Sequence, residues 1–185
     1  NDHIHLLNQY ESEGTPLAHY EGTGPEIWEQ TGGEIDYFLS GMGTGGTISG
    51  VARYLKEKDP SIKIVGIDPE GSIYSGDEPR PYQVEGIGYD FWPKVFDREI
   101  VDRMIRVSDH ESFAEVRKLA KVEGILAGGS TGSVLAGFRK LVSALEAEGI
   151  DPATKTYVIM IHDNGRTYLS KIYNDEWMTE HGFDI

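Results

Sequence analysis

The stretch Ser40-Gly-Met-Gly-Thr-Gly-Gly-Thr-Ile-Ser-Gly50 carries five glycines and two threonines in eleven positions. Residues without a Cβ let the backbone approach an oxyanion closely, and successive N–H groups can then point at it. Thr44 and Thr47 add hydroxyl donors to Gly43, Gly45 and Gly46. An apolar run, Ile35-Asp-Tyr-Phe-Leu39, precedes the loop and reads as a buried strand. Ile48, Val51, Ala52 and Leu55 follow at the spacing of one helix face. A strand, a glycine-rich turn and a helix start together form an anion cradle, to which the helix N-terminus adds partial positive charge.

The same stretch contains Gly41-Met-Gly43-Thr-Gly-Gly46, a G-x-G-x-x-G pattern after a strand, with Asp68 22 residues beyond Gly46. By spacing this is a dinucleotide fingerprint. Two further loops weigh against that ligand. Gly128-Gly-Ser-Thr-Gly-Ser133 opens another helix, and Gly86-Ile-Gly88 lies between the two with Tyr89 attached. Three glycine loops suit one compact ligand gripped from several sides.

These loops need a scaffold of alternating elements. Residues 1–24 read as loop-rich: Asn1–Tyr10 as a short helix or extended segment, Gly14-Thr-Pro16 as a turn. Pro25 opens a short helix ending at Gly32-Gly33. A strand over 35–40, a helix over 47–58 and a strand over 62–68 make a βαβ unit, whose strands should be parallel neighbours. Residues 70–98 form a long irregular excursion, and Tyr82, Tyr89, Phe91 and Trp92 argue that it is ordered. A strand over 100–107 precedes Ser108-Asp-His-Glu111, a capping-box start for a helix that ends at Gly124. A helix then follows the second glycine loop. Thr156–Ile161 reads as a third strong strand, and a final helix is expected near 167–175. The fold class is α/β, a three-layer, mostly parallel sheet.

The chain has 185 residues, 38% of them hydrophobic, enough for one good-sized core. No apolar run reaches membrane-spanning length. A net charge of -14, from 31 acidic and 17 basic residues, repels nucleic acid and acidic membranes. The absence of cysteine excludes disulfides and thiolate metal sites and fits a cytoplasmic setting. His3 and His5 alternate and His162 precedes Asp163, but none has a third ligand at zinc spacing, so no metal site is expected.

Five stretches in order carry a resemblance: Gly24-Pro-Glu-Ile-Trp-Glu-Gln-Thr31, Gly43-Thr-Gly-Gly-Thr47, Val84-Glu-Gly-Ile-Gly-Tyr-Asp-Phe91, Gly128-Gly-Ser-Thr-Gly-Ser133 and Asn174-Asp-Glu-Trp-Met178. Over nearly its whole length the chain resembles the C-terminal part of the catalytic domain of pyridoxal-phosphate enzymes of the tryptophan-synthase-β fold type (fold type II), in the cysteine synthase/cystathionine beta-synthase family. The resemblance implies pyridoxal 5'-phosphate as cofactor, held at its phosphate by Gly43, Thr44, Gly45, Gly46 and Thr47. It places Ser130 against the pyridine nitrogen, although Ser130 would also serve as N-cap of a helix beginning near Thr131. Gly86, Gly88 and Tyr89 would line the amino-acid pocket, with packing as the other use of Tyr89. Asp163 stands at a strand C-terminus, where ligands gather in open α/β sheets; this chain has His162-Asp-Asn164 where the family commonly has Pro-Asp-Ser.

The implied reaction is β-replacement on L-serine by homocysteine, giving cystathionine. O-acetylserine sulfhydrylation is the near alternative, and a non-catalytic dinucleotide-binding module the alternative of another class. The family's Schiff-base lysine belongs to an N-terminal part that these 185 residues do not match, and none of the nine lysines here sits in a family lysine motif. Residues 1–185 are therefore expected to be a segment of a longer, homodimeric cytoplasmic enzyme, carrying no catalytic lysine and no regulatory module, and needing the N-terminal part of the domain as its partner.

Overall fold

Four short segments pair into one parallel sheet: β1 (Tyr37–Gly41), β2 (Lys63–Pro69), β3 (Arg103–Val107) and β4 (Tyr157–Ile159), in the order β3-β2-β1-β4. The computed structural model describes residues 6–183. Register opposes Phe38 to Ile64 and Leu39 to Val65 across β1 and β2. The period-2 alternation then sorts the core onto two faces. Phe38 and Ile64 face one cluster with Ile48, Val51, Ala52 and Leu55 of α3 (Gly46–Lys58), while Leu39, Val65 and Ile67 face Val134, Leu141 and Leu145 of α5 (Gly129–Ala147). Helices cover both faces, which gives the three-layer α/β architecture expected from the alternating pattern.

The β1–α3–β2 unit forms as expected, with parallel adjacent strands. Its helix opens on Gly46 and contains Gly50, the latter about 1 kcal/mol worse than Ala in a helix interior. Four fully buried apolar side chains on the same helix outweigh that cost, since burying a Val, Leu or Ile contributes about 1.5–3 kcal/mol. α4 (Asp109–Glu123) carries the full capping box, Ser108 Oγ accepting from Glu111 N and the Glu111 carboxylate accepting from Ser108 N. It ends on Gly124 in the left-handed conformation, φ 69°.

Several expectations are corrected. Gly14-Thr-Pro16 is not a free turn: α1 (Gly14–Ala18) runs through a π-helical turn, His19–Thr23, into α2 (Gly24–Gln30). Pro16 sits early enough in α1 for its missing N–H to cost nothing. Residues 6–8 carry no regular structure and 9–11 form a turn, so the described part of the first ten residues is not helical; residues 1–5, with His3 and His5, lie outside the described residues. The last helix lies further on than expected. Gly165–Tyr168 is a 3-10 turn, and α6 spans Asp175–Glu180 with Asn174 Oδ1 capping Trp177 N at 3.1 Å.

Residues 70–97 form neither strand nor helix, as their prolines and glycines suggest. Rings hold them in place: Tyr74 packs on Trp92 and Phe96, and Tyr89 on Tyr10 and Phe91. Among the described residues no helix is long and apolar enough to cross a membrane.

Candidate functional site

The C-terminal end of β1 delivers the chain into Met42–Gly45 and then into α3. Gly45 stands at the N-cap with φ 84°, a conformation that glycine adopts without strain, and Phe96 occupies the space a side chain there would need. The loop is clamped from behind. Tyr74 Oη donates to Gly43 O at 2.9 Å and Gly88 N donates to Met42 O at 2.7 Å. Burial pushes the Tyr74 phenol well above its ordinary value, so it stays a neutral donor. Gly43 is pressed against the third loop: a Cβ there would lie 2.5 Å from Gly86 O.

What the loop leaves open matters most. Among the described residues, no protein group accepts from the backbone N–H of Gly43, Thr44, Gly45, Thr47 or Ile48. Such donors are normally paired when not facing water or a ligand. They border a cavity of about 260 Å³ lined by Gly43, Thr44, Gly45 and Thr47 on one side and Gly86 and Tyr89 on another, with Gln9, Gly41, Ile48 and His162 completing it. The two threonine side chains are half-buried there. Burial and a hydrogen bond with Tyr10 push the Tyr89 phenol up to about 12.

The expected site residues thus fall into two neighbourhoods. Gly43, Thr44, Gly45, Thr47, Gly86 and Tyr89 surround one cavity, with Gly46 in the helix turn directly behind. Gly88 is buried behind the wall, against Pro69 and Tyr82. Ser130 and Asp163 do not line that cavity. They sit at the N-terminal end of α5, where Gly128 N donates to Asp163 O at 3.4 Å and the Asp163 carboxylate accepts from Tyr168 Oη at 2.8 Å. Ser130 is not the N-cap. Gly128 is, with extended φ −81° and ψ 171°, because its carbonyl already accepts from Thr131 N and Gly132 N. Ser130 is therefore inside the first helical turn and buried.

His162 adjoins Asp163 and reaches the cavity, bringing the two neighbourhoods together. Ser40 Oγ donates to Gly41 O at 3.1 Å and lies 3.1 Å from His162 Nε2. Protein atoms crowding the ring hold the His162 imidazole below 6.5, although its surface is exposed and water screens part of that effect. Sequence reasoning missed Gln9, Gly41 and His162 as lining residues. For His162 a signal existed: it follows β4, the neighbour of β1, at the sheet edge where ligands gather.

Asp68, the acidic residue of the dinucleotide fingerprint, is fully buried. Its Oδ2 accepts from Ser75 N at 2.8 Å and burial pushes its carboxyl up from the usual range. Enclosed in this way, it is out of reach of a ribose hydroxyl. The cradle therefore lacks the second half of a dinucleotide site.

Sequence comparison decides between the remaining ligands. The family described as pyridoxal-phosphate dependent enzyme matches residues 1–163. The chain belongs to this family. Among curated relatives, it is 46% identical to a cystathionine beta-synthase from Apis mellifera over 183 residues, covering 96% of this chain and 35% of that protein. It is 46% identical to the cystathionine beta-synthase of Rattus norvegicus over 185 residues, covering 97% of this chain and 32% of the relative. A cysteine synthase from Helicobacter pylori is 40% identical over 167 residues, 90% of this chain and 53% of that protein. The chain therefore spans about a third of the cystathionine beta-synthases it matches.

Pyridoxal phosphate is the cofactor of the family, and the cavity suits it. The unpaired N–H groups and two hydroxyls fit a phosphate dianion, which accepts hydrogen bonds only. Gly41 keeps the wall flat: a Cβ there would lie 2.7 Å from Ile87 Cγ2 and 3.3 Å from His162 Cε1.

Proposed function

We propose that this chain is the C-terminal part of the catalytic domain of a pyridoxal-phosphate lyase that performs β-replacement on L-serine with homocysteine. The observation that supports it is the cavity in which the free N–H groups of Gly43, Thr44, Gly45, Thr47 and Ile48 and the Thr44 and Thr47 side chains stand opposite Gly86 and Tyr89. In this reading Gly43, Thr44, Gly45, Gly46 and Thr47 bind the phosphate. Gly86 and Tyr89 bound the space for an amino acid, and Gly88 anchors their loop through its bond to Met42 O. Ser130 holds the pyridine nitrogen through a neutral hydroxyl, and Asp163 fixes the α5 end beside it.

Bound there, the cofactor supplies an electron sink for bond breaking at the amino acid's α and β carbons. A carboxylate at the nitrogen would keep it protonated and deepen that sink, whereas the Ser130 hydroxyl does so weakly. That favours loss and replacement of a β-substituent over deeper carbanion chemistry. The covalent lysine is supplied by polypeptide preceding this segment, and the complete enzyme works as a cytoplasmic homodimer.

Two assays on the complete polypeptide test the reading. Pyridoxal phosphate should bind and give a visible absorption band, and serine with homocysteine should yield cystathionine. Turnover of O-acetylserine and sulfide, with none of serine and homocysteine, would move the assignment to cysteine synthase. Tight NAD binding without affinity for pyridoxal phosphate would sink both.

A further inference from the structure

α1 and the π-helical turn after it lie on α3 at backbone contact. Glycine makes this possible: a Cβ at Gly46 would stand 2.5 Å from Thr15 Cγ2, and one at Gly50 would stand 2.8 Å from His19 Cβ. The π turn closes with Gly24 N donating to His19 O. Within it, His19 Nδ1 lies 2.9 Å from Thr23 Oγ1. The other ring nitrogen, Nε2, lies 3.1 Å from Thr47 Oγ1, whose residue lines the cavity. Both nitrogens of a half-buried imidazole are thus engaged by hydroxyls, and π turns recur at functional sites.

Proton counting restricts this arrangement. Burial holds the His19 imidazole below 6.5, so at neutral pH it carries one N–H. With that proton on Nδ1, Nε2 accepts from Thr47, and the Thr47 hydroxyl has no proton left for the cavity. With the proton on Nε2, Thr23 donates to Nδ1, Nε2–H donates to Thr47 Oγ1, and the Thr47 proton is free to point into the cavity. A phosphate only accepts, so it selects the second arrangement.

We propose that His19, in its Nε2–H form, is a positioning residue that presents the Thr47 hydroxyl as a donor to the cofactor phosphate. The proposal rests on the reading of Gly43–Thr47 as the phosphate cradle.

The test compares binding of pyridoxal phosphate and of pyridoxal, which lacks the phosphate, to the complete polypeptide. His19→Ala should weaken pyridoxal phosphate about tenfold, the scale of one hydrogen bond to a charged group, and leave pyridoxal unchanged. His19→Gln, whose amide nitrogen can donate, should restore most of the loss. Thr47→Val should mimic His19→Ala, and the double variant should bind no more weakly than Thr47→Val alone. Nitrogen-15 shifts of the His19 ring with pyridoxal phosphate bound should show Nε2 protonated and Nδ1 bare. A His19→Ala protein that binds pyridoxal phosphate like wild type, or loses both probes equally, overturns the relay. Should that variant fail to fold, a proton on Nδ1 in the wild-type complex overturns it instead. A wild type without affinity for pyridoxal phosphate removes the cradle reading itself, and the relay with it.

Discussion

The two glycine-rich helix starts look alike in sequence and differ in what fills the space their missing side chains leave. Among the described residues, no protein group accepts from the backbone N–H of Gly43, Thr44, Gly45 or Thr47, and these four line a cavity. Gly128–Ser133 is buried throughout. There the glycines let α5 press on α4: a Cβ on Gly132 would strike Ser112 O and come within 2.9 Å of Val116 Cβ, and one on Gly129 would stand 3.2 Å from Phe113 Cε1. Ser133 Oγ donates to Ser112 Oγ at 2.8 Å across the same seam. One loop leaves its donors open to a cavity, and the other is a packing seam that places Ser130. Glycine spacing alone does not separate them, because the distinction lies in residues remote in sequence.

Substituting glycine on each side breaks the comparison most sharply. Gly132→Ala should lower stability by about 3 kcal/mol, since backbone rather than a flexible side-chain end must move. Urea denaturation measures this, and the folded fraction should keep its affinity for pyridoxal phosphate. Gly43→Ala should act the other way round. Its Cβ would push Gly86 aside, lowering affinity at least about tenfold (about 1.4 kcal/mol) with a smaller loss of stability. Equal profiles for the two variants would erase the distinction.

Where the determinants are local, the sequence is legible. The β1–α3–β2 unit follows from apolar runs with the right periods, and Ser108 with Glu111 marks the start of α4. The glycine turn from β1 into α3 was readable for the same reason, since its residues are consecutive. The path of Gly14–Gln30 was not: Gly14-Thr-Pro16 has turn chemistry, and what makes it helical is docking on Gly46 and Gly50, some thirty residues later. His19 carried no signal, because its meaning depends on Thr47 meeting its ring. Asp68 misled by spacing, and only its burial shows that it faces inward. Thr131 Oγ1 is buried without a partner among the described residues, and its neighbour Ser130 stands away from the cavity.

A smaller effect sharpens the seam side. Ser133→Ala removes the donor to Ser112 and should cost about 1 kcal/mol in thermal or urea unfolding. Replacing both serines by alanine should cost less than the sum of the two single substitutions, because each single variant already loses the bond between them and the double variant loses it only once. Fully additive losses would mean that the two hydroxyls act separately.

The smallest effect separates the two regions by pH. On the seam side, burial would raise the Glu111 carboxyl, but hydrogen bonds from Lys140 and Ser108 prevail and hold it below 4.5. Its contribution is complete above 4.5 and is lost as pH falls through the lowered value. On the cradle side, burial holds His19 below 6.5. The unfolded chain then takes the proton first, so stability is complete above 6.5 and declines as pH falls toward the folded value. Acidification should therefore weaken the contact between the His19 turn and α3 before it touches α4 and α5. NMR titration reads both groups: the His19 Cε1 proton should show a midpoint below 6.5 and the Glu111 side-chain carbonyl one below 4.5. A His19 midpoint above 6.5 in the absence of phosphate would show a ring already stabilised as a cation. The cradle would then owe its attraction for anions to a full charge at His19 as well as to backbone N–H groups and hydroxyls, and the contrast with the uncharged glycine seam of α5 would widen.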